Sequence, residues 1–362
     1  MYGVDTDWIN FLTHGNQFRA RLDQLGFTLG NDTIKGTFGF DNNTGYGGVY
    51  GSLLSSAETT NKMYYDFNPS ISMGLGYTSS LISVGVGYNV TLGPKGQRYN
   101  GKADPKTVQE AAHTPVLVLN ALDNAFRMAI PIQVYVYDDK DAAGDKKNIT
   151  AVSLDAQFRY YTGLDMLPQI RLYLRYGGGN YKDATQTAKI GESFGFDFRL
   201  YFGSMVEEVA LQPYVKLVYN GALGKYHDNT RVEAVKVMNS QDLANRVIPN
   251  MQLAKSAWNL NLVAGLGLTA NSDIVSLYLE PTLGLKVNQA GSTDKNAKET
   301  YDLGYGVYAE IYITPLKNLE WYFEASIGNT HSHDTANQGA VVSGKGLEFA
   351  GTTGITWYLP AL

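Results

Sequence analysis

Apolar and polar residues alternate along this chain from Ile71 to Leu359. Ile82, Val84, Val86, Tyr88, Val90 and Leu92 take every second place, and Ser83, Gly85, Gly87, Asn89 and Thr91 fill the gaps. The pattern returns in Val152-Leu154-Ala156-Phe158-Tyr160, in Phe194-Phe196-Phe198-Leu200-Phe202 and in Trp258-Leu260-Leu262-Ala264-Leu266-Leu268. Side chains of a strand point alternately to two faces, so each segment predicts a strand with one oily and one polar face. Strands of soluble sheets usually have about five or six residues. These run to roughly ten or more, the length that crosses a bilayer at a tilt. The pattern predicts an all-β fold: a transmembrane antiparallel outer-membrane β-barrel forming one domain over residues 1–362.

The connections support this reading. Short ones fall at Thr78-Ser79-Ser80, Leu122-Asp123-Asn124, Asn271-Ser272-Asp273 and Pro315-Leu316-Lys317-Asn318, with two more around Gly163–Pro168 and Gly203–Glu208. Long ones cover Gly93–Thr114, Asp138–Asn148, Gly178–Lys189, Asn220–Lys255, Asn288–Thr300 and Thr330–Lys345. Outer-membrane barrels show such an asymmetry, with short periplasmic turns and long extracellular loops. Counting back from a last strand at Leu347–Tyr358, every long loop falls outside if Pro115–Ala121 and Ala125–Tyr137 form a hairpin, which gives 13 strands from Pro69 onward. Three more at Phe18–Leu29, Thr33–Phe40 and Tyr46–Leu54 bring the expected total to 16, with 14 as the alternative. Pro131, Pro213 and Pro281 lie inside expected strands and, lacking an N–H, should mark bulges or irregular pairing. Arg231–Arg246 has a helix-like period and is expected to form a short loop helix.

Composition agrees. Charged residues make up 17% of the chain, below the roughly 25% usual for soluble domains. Mean hydropathy is nevertheless slightly negative, at −0.20, and the longest apolar runs, such as Ala129–Val136, fall short of a spanning helix. The 26 tyrosines suit a membrane–water boundary and a wet interior. With no cysteine, disulfide, zinc-thiolate and thiol-nucleophile chemistry are excluded. A net charge of −5 points away from nucleic acid. Residues 1–5 carry no secretory signal, so the barrel reading expects one to have been removed.

If the oily face meets lipid, each strand also presents charges on its polar face. Arg127, Arg159, Arg171, Arg175, Arg199 and Lys216 fall on neighbouring strands, while Glu280, Asp302, Glu310, Glu320, Glu324 and Glu348 follow on later ones. Two walls of opposite sign would set up a transverse field of the kind that selects polar solutes, and Arg127, Arg159, Arg171, Arg175, Arg199, Lys216, Glu280, Glu310, Glu320 and Glu324 are the expected pore-lining residues. The alternative reading is structural. Asp155, Asp197 and Lys286 break the segregation, and pairs such as Arg159 with Asp197 could simply brace the wall. On the strand of Asp197, Phe198→Arg is expected to harm folding into lipid far more than Asp197→Asn.

Other motifs carry less. His331 and His333 share a face in an extended segment and could hold a metal; a solvated loop is the other reading, and no metal site is assigned. Glycine runs such as Gly177-Gly178-Gly179 precede no expected helix and no phosphate-loop lysine, which leaves bends or turns. No Ser/His/Asp set is assignable, so no enzyme is expected, and no cofactor.

The opening MYGVDTDWINFLTHGNQFRARLDQLGFTLGND and the ending GLEFAGTTGITWYLPAL, with the mass of about 40 kDa and the absence of cysteine, resemble the Brachyspira variable surface proteins, abundant spirochaetal outer-membrane antigens. The resemblance implies surface exposure, antigenic outer loops and homo-oligomers, and it transfers no site residues. The two last aromatics, Trp357 and Tyr358, are followed by Leu359-Pro360-Ala361-Leu362, unlike the many bacterial barrels that end on an aromatic. Two functions follow for a protein of the cell outer membrane. One is a porin-like channel for passive diffusion of small polar solutes or ions, with exposed antigenic loops, because barrels of about 16 strands leave an aqueous channel. The other is a non-conducting surface antigen or adhesin with a plugged lumen. A soluble β-sandwich is the third reading of the alternation. The partners expected are the lipid bilayer, small polar solutes or ions and further copies of the chain, with no nucleic acid.

Overall fold

The computed structural model describes residues 7–20, 24–42, 69–92, 108–139, 147–184, 186–233, 252–329 and 347–357. A 3-10 helix, Trp8–Thr13, precedes the strands β1 (Gln17–Ala20), β2 (Gln24–Gly30), β3 (Ile34–Asn42), β4 (Pro69–Tyr77), β5 (Ile82–Leu92), β6 (Val108–Ala121), β7 (Phe126–Asp139), β8 (Lys147–Leu164), β9 (Leu167–Lys182) and β10 (Thr187–Tyr201). There follow β11 (Ser204–Val206), β12 (Val209–Ala222), β13 (Trp258–Asn271), β14 (Val275–Gln289), β15 (Thr300–Leu316), β16 (Leu319–Gly328) and β17 (Glu348–Trp357). Strands adjacent in sequence lie side by side. Two compact units divide the chain: Met1–Arg159 with Tyr173–Phe194 and Ala222–Gln252, and Tyr160–Leu172 with Gly195–Gly221 and Leu253–Leu362.

In the first unit β1 to β7 pair antiparallel in sequence order. The turn between β6 and β7 falls at Leu122-Asp123-Asn124, all three at positive φ, and closes with a hydrogen bond from the Ala125 N–H to the Leu122 carbonyl. In the second unit β11 to β17 do the same. Among the described residues β4–β10 and β12–β17 are the thirteen strands expected from Pro69 onward; β11 is a three-residue rung against the start of β12.

Four expectations change. The expected strand Phe18–Leu29 is two strands, β1 and β2, paired with Gln17 opposite Thr28 and Ala20 opposite Leu25. A hairpin keeps its alternation in both arms, so periodicity alone does not mark the reversal. The expected loop Gly178–Lys189 is mostly strand, because β9 continues to Lys182 and β10 begins at Thr187; β6 likewise starts inside the expected Gly93–Thr114 loop. Of the internal prolines, two bring the expected irregular pairing and none brings a register shift. Pro213 sits opposite Leu266 in an unbroken ladder, and rungs are skipped beside Pro131 and Pro281 without a slip. The register shift falls between Ile313 and Leu316, at Pro315. The expected strand Tyr46–Leu54, the His331/His333 segment and the helix beyond Glu233 lie outside the described residues.

The faces of the sheet are reversed relative to a soluble protein. On β5, Val86 is 61% exposed while Ser83 is 2% exposed. On β14, Leu283 is 57% exposed and Glu280 6%. Isolated exposed leucines are ordinary in any protein; rows of them beside buried polar side chains are not. Phe27 stacks on Phe38 and Phe196 on Tyr219 on this exposed face, at ring-centroid distances of 5.7 and 5.8 Å. Among the described residues, no helix is long and apolar enough to cross a membrane.

Candidate functional site

Strand parity places all ten expected pore-lining residues on the polar face. In the second unit the basic ones come first. Arg171 on β9 donates from Nε to Gln169 Oε1 at 2.9 Å, and its guanidinium lies 4.7 Å from the centre of the Tyr201 ring. Arg199 on β10 donates from Nε and Nη2 to the two oxygens of Asp197, at 2.8 and 2.6 Å. Both residues are buried, and their i, i+2 spacing on one strand is what puts them on the same face. Asp197 is thus held by its own strand neighbour. Lys216 on β12 is buried opposite Val263.

Across β13 the sign changes. Tyr214 on β12 lies over Gly265, where a Cβ would sit 2.3 Å from its ring, and so reaches β14, donating its hydroxyl to Glu280 Oε1 at 2.9 Å. Tyr278 donates to the other Glu280 oxygen, and Tyr308 donates to Glu310. Glu280 faces Tyr308 and Glu310 faces Tyr278 across the β14–β15 ladder. Glu310 also stands directly opposite Glu324 on β16, and Tyr312 opposite Tyr322, with ring centres 6.2 Å apart. Glu320 faces Thr356 on β17. Lys286, which breaks the charge segregation, stands opposite Asp302. Like charges on one rung are unfavourable, so the Glu310–Glu324 pair is not there for stability.

Periodicity marks the carboxylates but not the tyrosines that hold them. Their signal is present at spacing two: Tyr278-x-Glu280, Tyr308-x-Glu310-x-Tyr312 and Glu320-x-Tyr322-x-Glu324.

In the first unit, Arg175 donates to Asp155 Oδ1 at 3.3 Å and lies over Tyr173. Arg159 is half-buried, and its Nε makes no hydrogen bond among the described residues. Arg127 does not stand bare on the wall. It donates to Asn10 Oδ1 at 2.5 Å and to Thr13 Oγ1 at 3.3 Å, both in the 3-10 helix, and to the Asn124 carbonyl.

The chain after β12 also returns to the polar face. Leu223 N–H donates to the Glu192 carbonyl and Val232 N–H to Ser193 Oγ, each at 2.7 Å. A Cβ on Gly177 would fall 1.7 Å from the Val232 carbonyl oxygen. The expected bend at Gly177–Gly179 is therefore strand, and Gly177 carries no side chain where Val232 lies against it. His227, buried here, has one ring nitrogen 2.9 Å from the Glu192 N–H and the other 3.2 Å from the Asn229 N–H. Burial holds its pKa below the ordinary value.

A family model described as Serpulina hyodysenteriae variable surface protein matches residues 1–358. No curated protein matches the sequence at a significant level. The match takes in the opening stretch, everything after it and the ending as far as Tyr358. The chain belongs to this variable surface protein family.

Proposed function

We propose that this variable surface protein is an outer-membrane β-barrel that acts as a passive, non-catalytic channel for small polar solutes or ions and presents its long loops as surface antigens. The observation that carries the reading is the reversed burial: rows of valine, leucine and phenylalanine are exposed on one face, while serine, asparagine, lysine and glutamate are buried on the other. Water on the oily face would be costly over so many strands, whereas acyl chains suit it. The polar face needs the opposite environment, and a hydrated lumen supplies it. Strands of 14–18 residues, as in β6 to β8, are long enough to cross a bilayer at a tilt and continue beyond it.

The carboxylate–tyrosine wall of β14–β16 then meets the permeating solute, and the basic residues of β9, β10 and β12 give the other sign. In the barrel reading the segment Leu223–Glu233, folded back on Gly177 and Ser193, narrows the pathway. The rival reading, a non-conducting antigen, differs in one measurable respect. Purified protein inserted into a planar bilayer should give discrete, voltage-independent conductance steps in potassium chloride. Protein that inserts and stays silent in every salt would leave the antigen reading standing.

A further inference from the structure

On β4 to β7, polar-face positions away from the 3-10 helix are largely polar: Ser70, Ser72, Ser83, Asn89, Thr91 and Asn120 are all buried. Where Trp8–Thr13 lies, the same face changes to Gly74, Gly76, Gly85, Gly87, Val116, Val118 and Ala129. The replacement is local and it is fitted. A Cβ on Gly87 would fall 2.4 Å from the Trp8 ring, one on Gly74 2.8 Å from it, and one on Gly76 2.4 Å from Leu12 Cδ2. Trp8, Ile9, Phe11 and Leu12 are buried in a cluster with Val116, Val118 and Ala129. Apolar residues on the watery face of a strand have no reason to be there unless something apolar covers them.

Polar anchors fix the ends of the seat. Arg127 holds Asn10 and Thr13, Lys35 Nζ donates to the His14 carbonyl at 2.7 Å, and the Gly30 N–H donates to Asn16 Oδ1 at 2.8 Å. Asn10 in turn donates to Asp7 Oδ2 at 2.6 Å. Every one of these contacts is non-covalent, and the chain leaves the seat at once into β1.

We infer that residues Asp7–Asn16 form a tethered occluding segment, docked on a built seat inside the channel and setting its conductance. The inference rests on the channel reading. Asp7–Asn16 fills space that an unplugged lumen would leave to water, and it consumes Arg127, which would otherwise add to the fixed field. A segment undocked from Gly74, Gly76, Gly85 and Gly87 uncovers glycines with no side chain to refill the space, so undocking widens the pathway there by the thickness of the helix.

The absence of native cysteine makes the test clean. Leu12→Cys with Gly76→Cys should form a disulfide on mild oxidation, visible as a gel-mobility shift that reduction reverses. Oxidised channels should hold a low, quiet conductance, and reduction should bring back fluctuations to higher levels. Gly87→Leu, which takes the space of the Trp8 ring, should raise the mean single-channel conductance, as should Trp8→Gly/Phe11→Gly. Gly87→Leu leaves the segment itself intact, so a folding failure in the double variant does not block the test. If the disulfide fails to form, the docking is wrong. If locked, reduced and Gly87→Leu proteins conduct alike, the channel stands and the occluding segment falls. Silence in every form, with the protein inserted, brings down the channel reading and the occluder together.

Discussion

Lys216 is 2% exposed, and Val215, its neighbour in the chain, is 37% exposed. The two point to opposite faces of β12, opposite Val263 and Ala264 respectively. In water this arrangement would strand a cation in the interior and leave an oily residue outside. Between lipid on one side and buried polar partners on the other, both are where they should be.

Val215 lies at the middle of β12, so it faces the bilayer midplane in the proposed barrel. Val215→Arg is expected to cost about 2–4 kcal/mol of folding free energy in lipid, and Val215→Leu nearly nothing. Equilibrium urea titration in lipid vesicles, followed by tryptophan fluorescence, measures both. Equal stability of the two variants would place Val215 away from lipid.

Asp197 and Arg199 form a buried pair, which argues against a mild effect of Asp197→Asn. Removing the carboxylate takes two charge-assisted hydrogen bonds from a buried guanidinium, at a cost of about 3–5 kcal/mol. That matches or exceeds the cost of Phe198→Arg, about 2–4 kcal/mol for a lipid-facing arginine. The double variant Asp197→Leu/Arg199→Met should recover most of the loss, since no charge is left unpaired. The same titration decides it; a double variant no better than Asp197→Asn would mean that the pair is irreplaceable at that site.

Because Asp197 cancels much of Arg199, the two cations expected to act alike should differ. Arg171→Ala should move ion preference toward cations more than Arg199→Ala does. Glu310→Gln/Glu324→Gln should move it toward anions, and should also stabilise the fold by about 0.2–1 kcal/mol by removing a like-charge rung. Reversal potentials under a salt gradient report the preference. The shifts should shrink in concentrated salt, as the Debye length falls from about 10 Å at 0.1 M to about 3 Å at 1 M.

His227 predicts a pH-sensitive segment. Burial lowers its pKa from the ordinary 6.5, outweighing the hydrogen bond of its ring to the Leu223 carbonyl and the nearby Asp228 and Glu192 carboxylates. The neutral ring accepts a backbone N–H from Glu192 or Asn229; the imidazolium accepts neither. A depressed histidine pKa means that the folded state binds fewer protons, so its contribution is complete above the unfolded value and is lost as pH falls through that value toward the folded one. Hydrogen exchange in residues 223–233 should therefore quicken between about pH 7.5 and about pH 5.5. In His227→Gln that pH dependence should vanish beyond the intrinsic chemistry of exchange.

Much of this architecture is legible in the alternation. The parity that assigned Phe194, Phe196 and Phe198 to one face and Asp197 and Arg199 to the other holds in the structure, because a strand's period of two leaves no freedom once one residue is placed. What escaped is contact at a distance. Gly177–Gly179 reads as a turn from composition, and only the return of Val232 shows why the strand gives up its side chain at Gly177. Gly74, Gly76, Gly85 and Gly87 are equally mute until Trp8 and Leu12 are laid on them. Tyr214 reaches Glu280 across an intervening strand, a partnership that depends on register rather than on either residue's neighbours. The reversal inside Phe18–Leu29 was hidden because both arms of a hairpin keep the same rhythm.

The account turns on which face of the sheet meets lipid, and β14 offers the most direct measurement. Single cysteines at positions 277, 278, 283, 285 and 286, each carrying an environment-sensitive fluorophore, can be read in proteoliposomes against a lipid-confined and a water-soluble quencher. Leu277, Leu283 and Leu285 should be quenched from the lipid, and Tyr278 and Lys286 from the aqueous phase, in strict alternation. Quenching of the leucine positions by the water-soluble agent, with no response to the lipid one, would contradict the barrel and everything built on it.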